Sequence, residues 1–321
     1  MKKLMAMIAA ACACALVVLA ITGCAAPAKS SSSESFASTS DVSAPVQKQT
    51  GTDPVYILVV GNDNRYQTSE EEGAKKDDRT YSDTMMLMRV DPGLNSIAIC
   101  TIPRDTLVQY QGQEYKLNEV HYIGYSKDLC AEVGKLFGVE VPYYFEMTFK
   151  EFADFVNKLG GVNAIVPKDM TGGDIIEGKD ITLSAGEQKL DGLSALMLVR
   201  QRKLYDGDGE ACRQLITRRL VADAIQYVAD QPVSEAKKYT DLLETGSETN
   251  MPAAELEAYI TAFMNQSTPI AFTLGTAPYE TVQDASGKWG IKLEPEKFQA
   301  LKQAMETGGD MNQIVAPPEL V

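Results

Sequence analysis

Histidine is nearly missing from this chain: its 321 residues include one, His121. A Ser-His-Asp triad thus has one lone candidate for its base, and nucleophilic catalysis of that kind has little support. His121 reads more simply as a residue that caps or packs near a helix start. Positive charge is in deficit too, with 30 Lys and Arg against 44 Asp and Glu and a formal charge of −14. General nucleic-acid binding needs net basic surface, so that class is excluded. No GxxxxGK[ST] phosphate loop occurs, Gly61-Asn62-Asp63 is not a dinucleotide fingerprint, and there is no internal repeat. What remains is 45% hydrophobic and 23% charged, which suits one or two globular domains with a real core.

Cysteine is sparse, and the spacing of the six matches no metal motif. Cys12 and Cys14 fall within an N-terminal apolar run, and Cys24 follows it. Cys100 lies inside an apolar strand and reads as a buried thiol. Cys130 and Cys212 either pair in an oxidising compartment or stay free, and the sequence favours neither.

The N-terminus points to a compartment. Lys2 and Lys3 precede an apolar stretch from Met5 to Ile21, followed by Thr22-Gly23-Cys24. That order is a signal peptide's. A cysteine at this place resembles the bacterial lipobox, whose thiol is lipidated and becomes the first mature residue. Residues 1–23 are thus expected to be a lipoprotein signal peptide, with Cys24 the lipidated residue. The competing reading is a single N-terminal transmembrane anchor, for which the run is short. Either places the body at the extracytoplasmic face of the membrane. Residues 24–52, with SSSSESFASTSDVSAP, carry no apolar period and read as a disordered tether.

Residues 55–105 organise the rest. Val55–Val60, Thr84–Val90 and Ser96–Ile102 are short, β-branched and bounded by Gly, Asn, Asp and Pro, as buried strands are. Asp91-Pro92-Gly93-Leu94-Asn95 reads as a tight turn between two of them. Residues 109–115 read as a polar excursion, and Lys116-Leu117-Asn118 leads to a helix. Helices are predicted over 127–137, 149–159, 190–199 and 210–229, and strands over 141–148 and 162–166. Residues 170–179 read as a Gly-rich loop or hairpin tip. Composition shifts at Gln231-Pro232. The core domain is therefore placed at 53–230, and 231–309 is expected to be an appended α+β part packed on the same sheet. The tail, 310–321, is expected to fray.

Charged residues gather at the strand ends. Asp63 follows the first strand, Asp83 opens the second, and Pro103-Arg104-Asp105 closes the third. Two carboxylates there suit a hard divalent cation that keeps waters and shares phosphate oxygens. The bland alternative is that both are turn or cap residues. Arg104, Lys116, Arg200 and Arg202 supply cations, and guanidinium forks match phosphate oxygens. Against this, charge runs at helix ends usually face solvent. Here they flank long apolar helices with no balancing acid run, which favours a phosphate site.

Together the segments ILVVGNDNR, YSDTMMLMRVDP, SIAICTIPRDT, KLNEVHYIG, LGGVNAIVPKD, ITLSAGEQKLDGLSALMLVRQRK and the late RQ resemble the LytR-CpsA-Psr family. Each piece alone is weak, and their shared order is specific. The resemblance implies an α/β fold, an α-β-α sandwich around a central mixed sheet. It implies a phosphotransferase that moves a glycopolymer from a polyprenyl-pyrophosphate carrier to a peptidoglycan acceptor, with the isoprenoid in an apolar tunnel. Mg²⁺, or Mn²⁺ in its place, and arginines hold the pyrophosphate. By match of motif, Asp63 and Asp83 are the metal ligands. Asp83, Arg104, Arg200, Arg202 and Arg213 are the catalytic candidates. Arg79, Arg104, Lys116, Asn118, Arg200, Arg202 and Gln214 are expected on the pyrophosphate. Asp83, Asp206 and Asp208 are open candidates for accepting the acceptor hydroxyl's proton.

Two positions depart from the family pattern. Tyr81 stands where an arginine is usual, with Arg79 near enough to substitute. Asp208-Gly209-Glu210 replaces Asp-aromatic-Gly-Arg, with an acid where a guanidinium is expected. The departures keep two rivals in view: a polyprenyl-pyrophosphate phosphatase, and a non-catalytic carrier of polyprenyl phosphates.

Overall fold

The computed structural model describes residues 53–62, 80–173, 176–205, 208–283 and 287–320. The signal peptide, Cys24 and the tether lie outside them, as do Asp63, Arg79 and Asp206. The three predicted strands form β1 (Val55–Asn62), β2 (Ser82–Asp91) and β3 (Ser96–Thr101), an antiparallel meander. A one-turn 3-10 helix, Pro92–Leu94, joins β2 to β3, and Asn95 in the left-handed region closes it.

The next segment corrects the expectation of a polar excursion. It is a hairpin, β4 (Leu107–Tyr110) and β5 (Gln113–Lys116), turned at Gln111-Gly112 with both φ positive. Helix α1 (Leu117–Phe137) starts ten residues earlier than the periodicity suggests. Tyr125, at φ 58, kinks it and breaks the apolar repeat. Then come β6 (Tyr143–Thr148) and α2 (Phe149–Leu159), whose Thr148/Glu151 capping box fixes the start. The strands β7 (Val162–Val166), β8 (Met170–Gly173), β9 (Asp180–Leu183) and β10 (Gly186–Leu190) form two small hairpin ladders. Leu190 ends β10 and does not begin the next helix. Asp191 caps α3 (Gly192–Arg200) by accepting from the Ser194 amide. A Cβ at Gly192 would stand 2.0 Å from the Ala153 carbonyl oxygen, so glycine is what lets α3 cross α2 closely.

The long helix α4 (Gly209–Ala229) follows. Beyond it lie α5 (Ala236–Gly246), β11 (Glu248–Thr249), α6 (Ala253–Met264), β12 (Ala271–Thr276), β13 (Tyr279–Gln283), β14 (Trp289–Leu293) and α7 (Pro295–Thr307). Residues 231–309 are woven into the fold. The sheet order is β11-β6-β1-β2-β3-β12, so this stretch supplies both edge strands. β12 runs parallel to β3, β6 parallel to β1, and β11 antiparallel to β6.

Side chains alternate across the meander, and both faces are buried. Leu58, Val60, Met85, Leu87, Ala98 and Cys100 pack against α1 and α7. Val55, Ile57, Met86, Met88, Ile97 and Ile99 face the other way, toward α4 and α6. The result is a three-layer α-β-α arrangement. The tail does not fray: Met311 is wholly buried against this core, and the Glu319 carbonyl lies 3.6 Å from the Cys212 sulfur. Cys100, Cys130 and Cys212 are all buried free thiols, so Cys130 and Cys212 do not pair. Burial pushes Cys100 and Cys130 up to about 12.

Candidate active site

A cavity of about 640 Å³ opens between the sheet and α2, α3, α4 and α6. Its walls are apolar: Ile57, Met86 and Met88 from the sheet, Phe152 and Phe155 from α2, Leu220 and Val221 from α4, Phe263 from α6. Polar lining comes from Asp83, Thr84, Arg104, Arg200, Gln201, Arg202, Lys203 and Arg213. The same alternation that builds the core places Met86 and Met88 on the wall, while Asp83 sits near the strand's start.

Backbone hydrogen bonds fix this polar group. The Ile102 amide donates to the Met85 carbonyl at 2.9 Å. The Thr106 amide and hydroxyl both donate to the Pro103 carbonyl, at 3.1 and 2.7 Å, in a turn that projects Arg104. The Asn118 amide holds the Arg104 carbonyl at 3.1 Å, and the Ile291 amide of β14 holds the Asp105 carbonyl at 3.0 Å. Arg104 ion-pairs with Asp83. Arg213, on α4 and buried, donates to the Thr84 hydroxyl at 2.7 Å and the Asp83 carbonyl at 3.2 Å. Arg200 stacks on the Phe149 ring, 4.9 Å from its centroid.

Glu210 is the surprise of the site. It bridges Arg202, at 2.9 Å, and Arg213, and also accepts from Gln214 Nε2 at 3.2 Å. Burial alone would raise its pKa. Hydrogen bonding and charge from Arg213, the charge of Arg202 and the Gln214 bond outweigh it, and the carboxyl is held below the usual range. Burial draws Arg202 somewhat down, against the pull of Glu210.

The structure thus brings Asp83, Arg104, Arg200, Arg202 and Arg213 to one cavity. It does not bring Lys116, Asn118 or Gln214 to the cavity wall. Lys116 pairs with Asp105 at 2.8 Å, and Gln214 is buried between Glu210 and the Thr101 hydroxyl. Asn118 holds Arg104 through its backbone amide alone, and its side-chain oxygen is buried with no hydrogen-bond partner among the described residues. Lys203, one of the basic residues that cluster with Arg200 and Arg202 in the sequence, also lines the cavity. Its only sequence signal is its place in the run Arg200-Gln201-Arg202-Lys203. His121 lies elsewhere, buried with Nε2 3.1 Å from Glu146 and Nδ1 2.8 Å from the Thr80 carbonyl.

Asp83 offers the carboxylate oxygens that a hard cation prefers, and here they pair with Arg104. Among the described residues no cluster of three or more His, Cys, Asp or Glu could hold a metal by itself. A cation beside Asp83 would therefore draw ligands from the bound phosphates as well.

The apolar cavity is thus capped by guanidinium groups. Bacillus cereus (strain AH820) TagU, a polyisoprenyl-teichoic acid–peptidoglycan teichoic acid transferase, is 30% identical over 61% of this chain. The match spans 59% of that relative's length. TagT of Bacillus subtilis (strain 168), with the same activity in its name, is 26% identical over 80% of this chain and 77% of its own. Among solved structures, protein gbs0355 of Streptococcus agalactiae superposes with a TM-score of 0.65 at 22% identity, covering 79% of this chain and 87% of its own. TagT bound to LIIa-WTA gives 0.64 at 21%, covering 83% and 94%. Both share the fold. The model of the LytR_cpsA_psr family matches residues 21–306. With the mixed sheet, the order of its motifs and that match, the chain belongs to the LytR_cpsA_psr family.

Proposed function

We propose that this protein is a phosphotransferase that moves a glycopolymer from a polyprenyl-pyrophosphate carrier to a peptidoglycan hydroxyl. The observation that carries the reading is the pairing of an apolar cavity of about 640 Å³ with the polar lining of Asp83, Arg104, Arg200, Arg202, Lys203 and Arg213. An isoprenoid tail matches the walls, and a pyrophosphate matches the cations. Relatives named as teichoic acid transferases, and a TagT structure with bound octaprenyl pyrophosphate lipid, support it.

In this reading the acceptor hydroxyl attacks the sugar-side phosphorus, and the anhydride bond to the polyprenyl phosphate breaks. The leaving group is polyprenyl monophosphate. Phosphoryl transfer asks the protein mainly for position and charge stabilisation. Arg104, Arg200, Arg202 and Arg213 would stabilise charge on the phosphates, with Arg213 already locked by Thr84. Asp83 and Asp63 would hold Mg²⁺, or Mn²⁺, which would neutralise phosphate charge when bound. Of the two described candidates for the hydroxyl's proton, Asp83 lines the cavity. Asp208 instead caps α4 and accepts from the Tyr279 hydroxyl at 3.2 Å. Lipidation at Cys24 would tether the body to the outer membrane face, where both partners are found.

The test uses a short-chain polyprenyl-pyrophosphate glycan labelled in the sugar-side phosphate, with and without peptidoglycan fragments, at varied Mg²⁺. Label appearing on peptidoglycan only when acceptor is present is the expected result. Label released to water would make the protein a phosphatase. Binding without any turnover would make it a carrier.

A further inference from the structure

Arg202 and Arg213 already have an anion. Glu210 Oε2 lies 2.9 Å from Arg202 Nε and 3.1 Å from Arg213 Nε, while Oε1 takes a second bond from Arg213 and one from Gln214. That two-oxygen bridge is the geometry a phosphate would adopt on the same guanidinium groups. The Glu210 side chain remains about a third exposed, at 32%, so it has room to swing toward solvent. Arg213 has no such freedom. Its remaining bonds, to Thr84 Oγ1 and the Asp83 carbonyl, would hold it in place after the carboxylate left.

We propose that Glu210 is an internal anion occupying the phosphate position on Arg202 and Arg213, and that a pyrophosphate ligand binds by displacing it. The inference rests on the reading of the cavity as a polyprenyl-pyrophosphate site. Displacement lowers the apparent affinity for every anion by the same factor, the fraction of molecules with the carboxylate swung out. Weak anions such as free phosphate are then shut out at ordinary concentrations. A ligand that also fills the apolar cavity has binding energy to spare. Glu210 acts through the arginines and sets the threshold of affinity that an anion must exceed; it is not a catalytic residue.

Isothermal titration of the full chain with geranyl pyrophosphate, inorganic pyrophosphate and uncharged geraniol tests this, comparing wild type with Glu210→Gln. The glutamine keeps the shape and removes the charge. Both phosphates should bind the variant on the order of tenfold more tightly, and geraniol should bind unchanged. Glu210→Ala should move the same way, and it serves if the glutamine variant does not fold. Equal or weaker phosphate binding by a folded variant would overturn the proposal and make Glu210 a group that orients the arginines. Failure of wild type and variants alike to bind geranyl pyrophosphate would instead sink the reading of the cavity itself.

Discussion

Asp83 carries two demands at once: it neutralises Arg104, and it is the one described carboxylate of the proposed metal pair. Asp83→Ala should lower turnover about 100- to 1,000-fold with the melting temperature little changed. Wild-type turnover in that variant would remove Asp83 from the chemistry. A buried hydrogen-bonded cluster lies away from the cavity, where Glu146 accepts from Asn62, Ser126 and His121. Burial raises its pKa, but these three partners outweigh burial and the net shift is downward. A carboxyl whose folded pKa is depressed adds stability above its unfolded range, near about 4.3, and loses it as pH falls through the folded value. Glu146→Gln should therefore cost about 1.5–3 kcal/mol at neutral pH and flatten the acid limb of the stability profile. Urea titrations at pH 7 and pH 3 read both. Arg218 is the opposite case, a buried cation that donates to the Thr101 and Thr276 hydroxyls, with Nε unbonded among the described residues. Burial pulls it down to about 10. Arg218→Met should be neutral or stabilising, and a loss above about 2 kcal/mol would show that the cation has a role the fold depends on. At this scale the sequence was readable where a motif tied a charge to a strand or helix end, as at Asp83, Arg104 and Arg200. Lys116 and Gln214 sit in equally recognisable motifs, yet the chain turns them toward Asp105 and Glu210, which no motif records.

Among the elements, the apolar strands and α2 were legible because burial on both faces or a strict apolar stripe leaves a clear period. The β4–β5 hairpin was not, because its residues are mostly polar and its turn depends on positive φ at Gln111 and Gly112. The start of α1 was legible at Lys116-Leu117-Asn118, but Gly124 and the kinked Tyr125 break the apolar period of its early turns. The cavity was expected from the family resemblance alone: its lining reads as ordinary core, and only packing shows that Met86, Phe152 and Phe263 leave space between them. Helix α4 links the layers to the site, because Asp208 at its N-cap accepts from the Glu210 and Ala211 amides at 3.0 and 3.1 Å. Asp208→Ala should cost about 1 kcal/mol of stability. It should also loosen the Glu210–Arg213 cluster, so phosphate affinity should change along with the melting temperature. A change in neither would mean that the helix start is held by packing alone.

For the whole molecule, the contrast is between a formal charge of −14 and a cavity lined by cations. Solvent salt should screen the first more than the second, because Arg213 is buried. Cys24→Ala should release the protein from membranes, and retention there would favour a spanning anchor. The sheet's order has a consequence for biogenesis. β3 is paired on one side by β2, its neighbour in sequence, but on the other only by β12, which emerges far later. Until Ala271–Thr276 is available, a nascent chain presents an open, apolar strand edge, a template for pairing with other chains. Folding of this protein is therefore tied to completion of its chain, and a polypeptide stopped short of β12 is aggregation-prone material for chaperones and proteases.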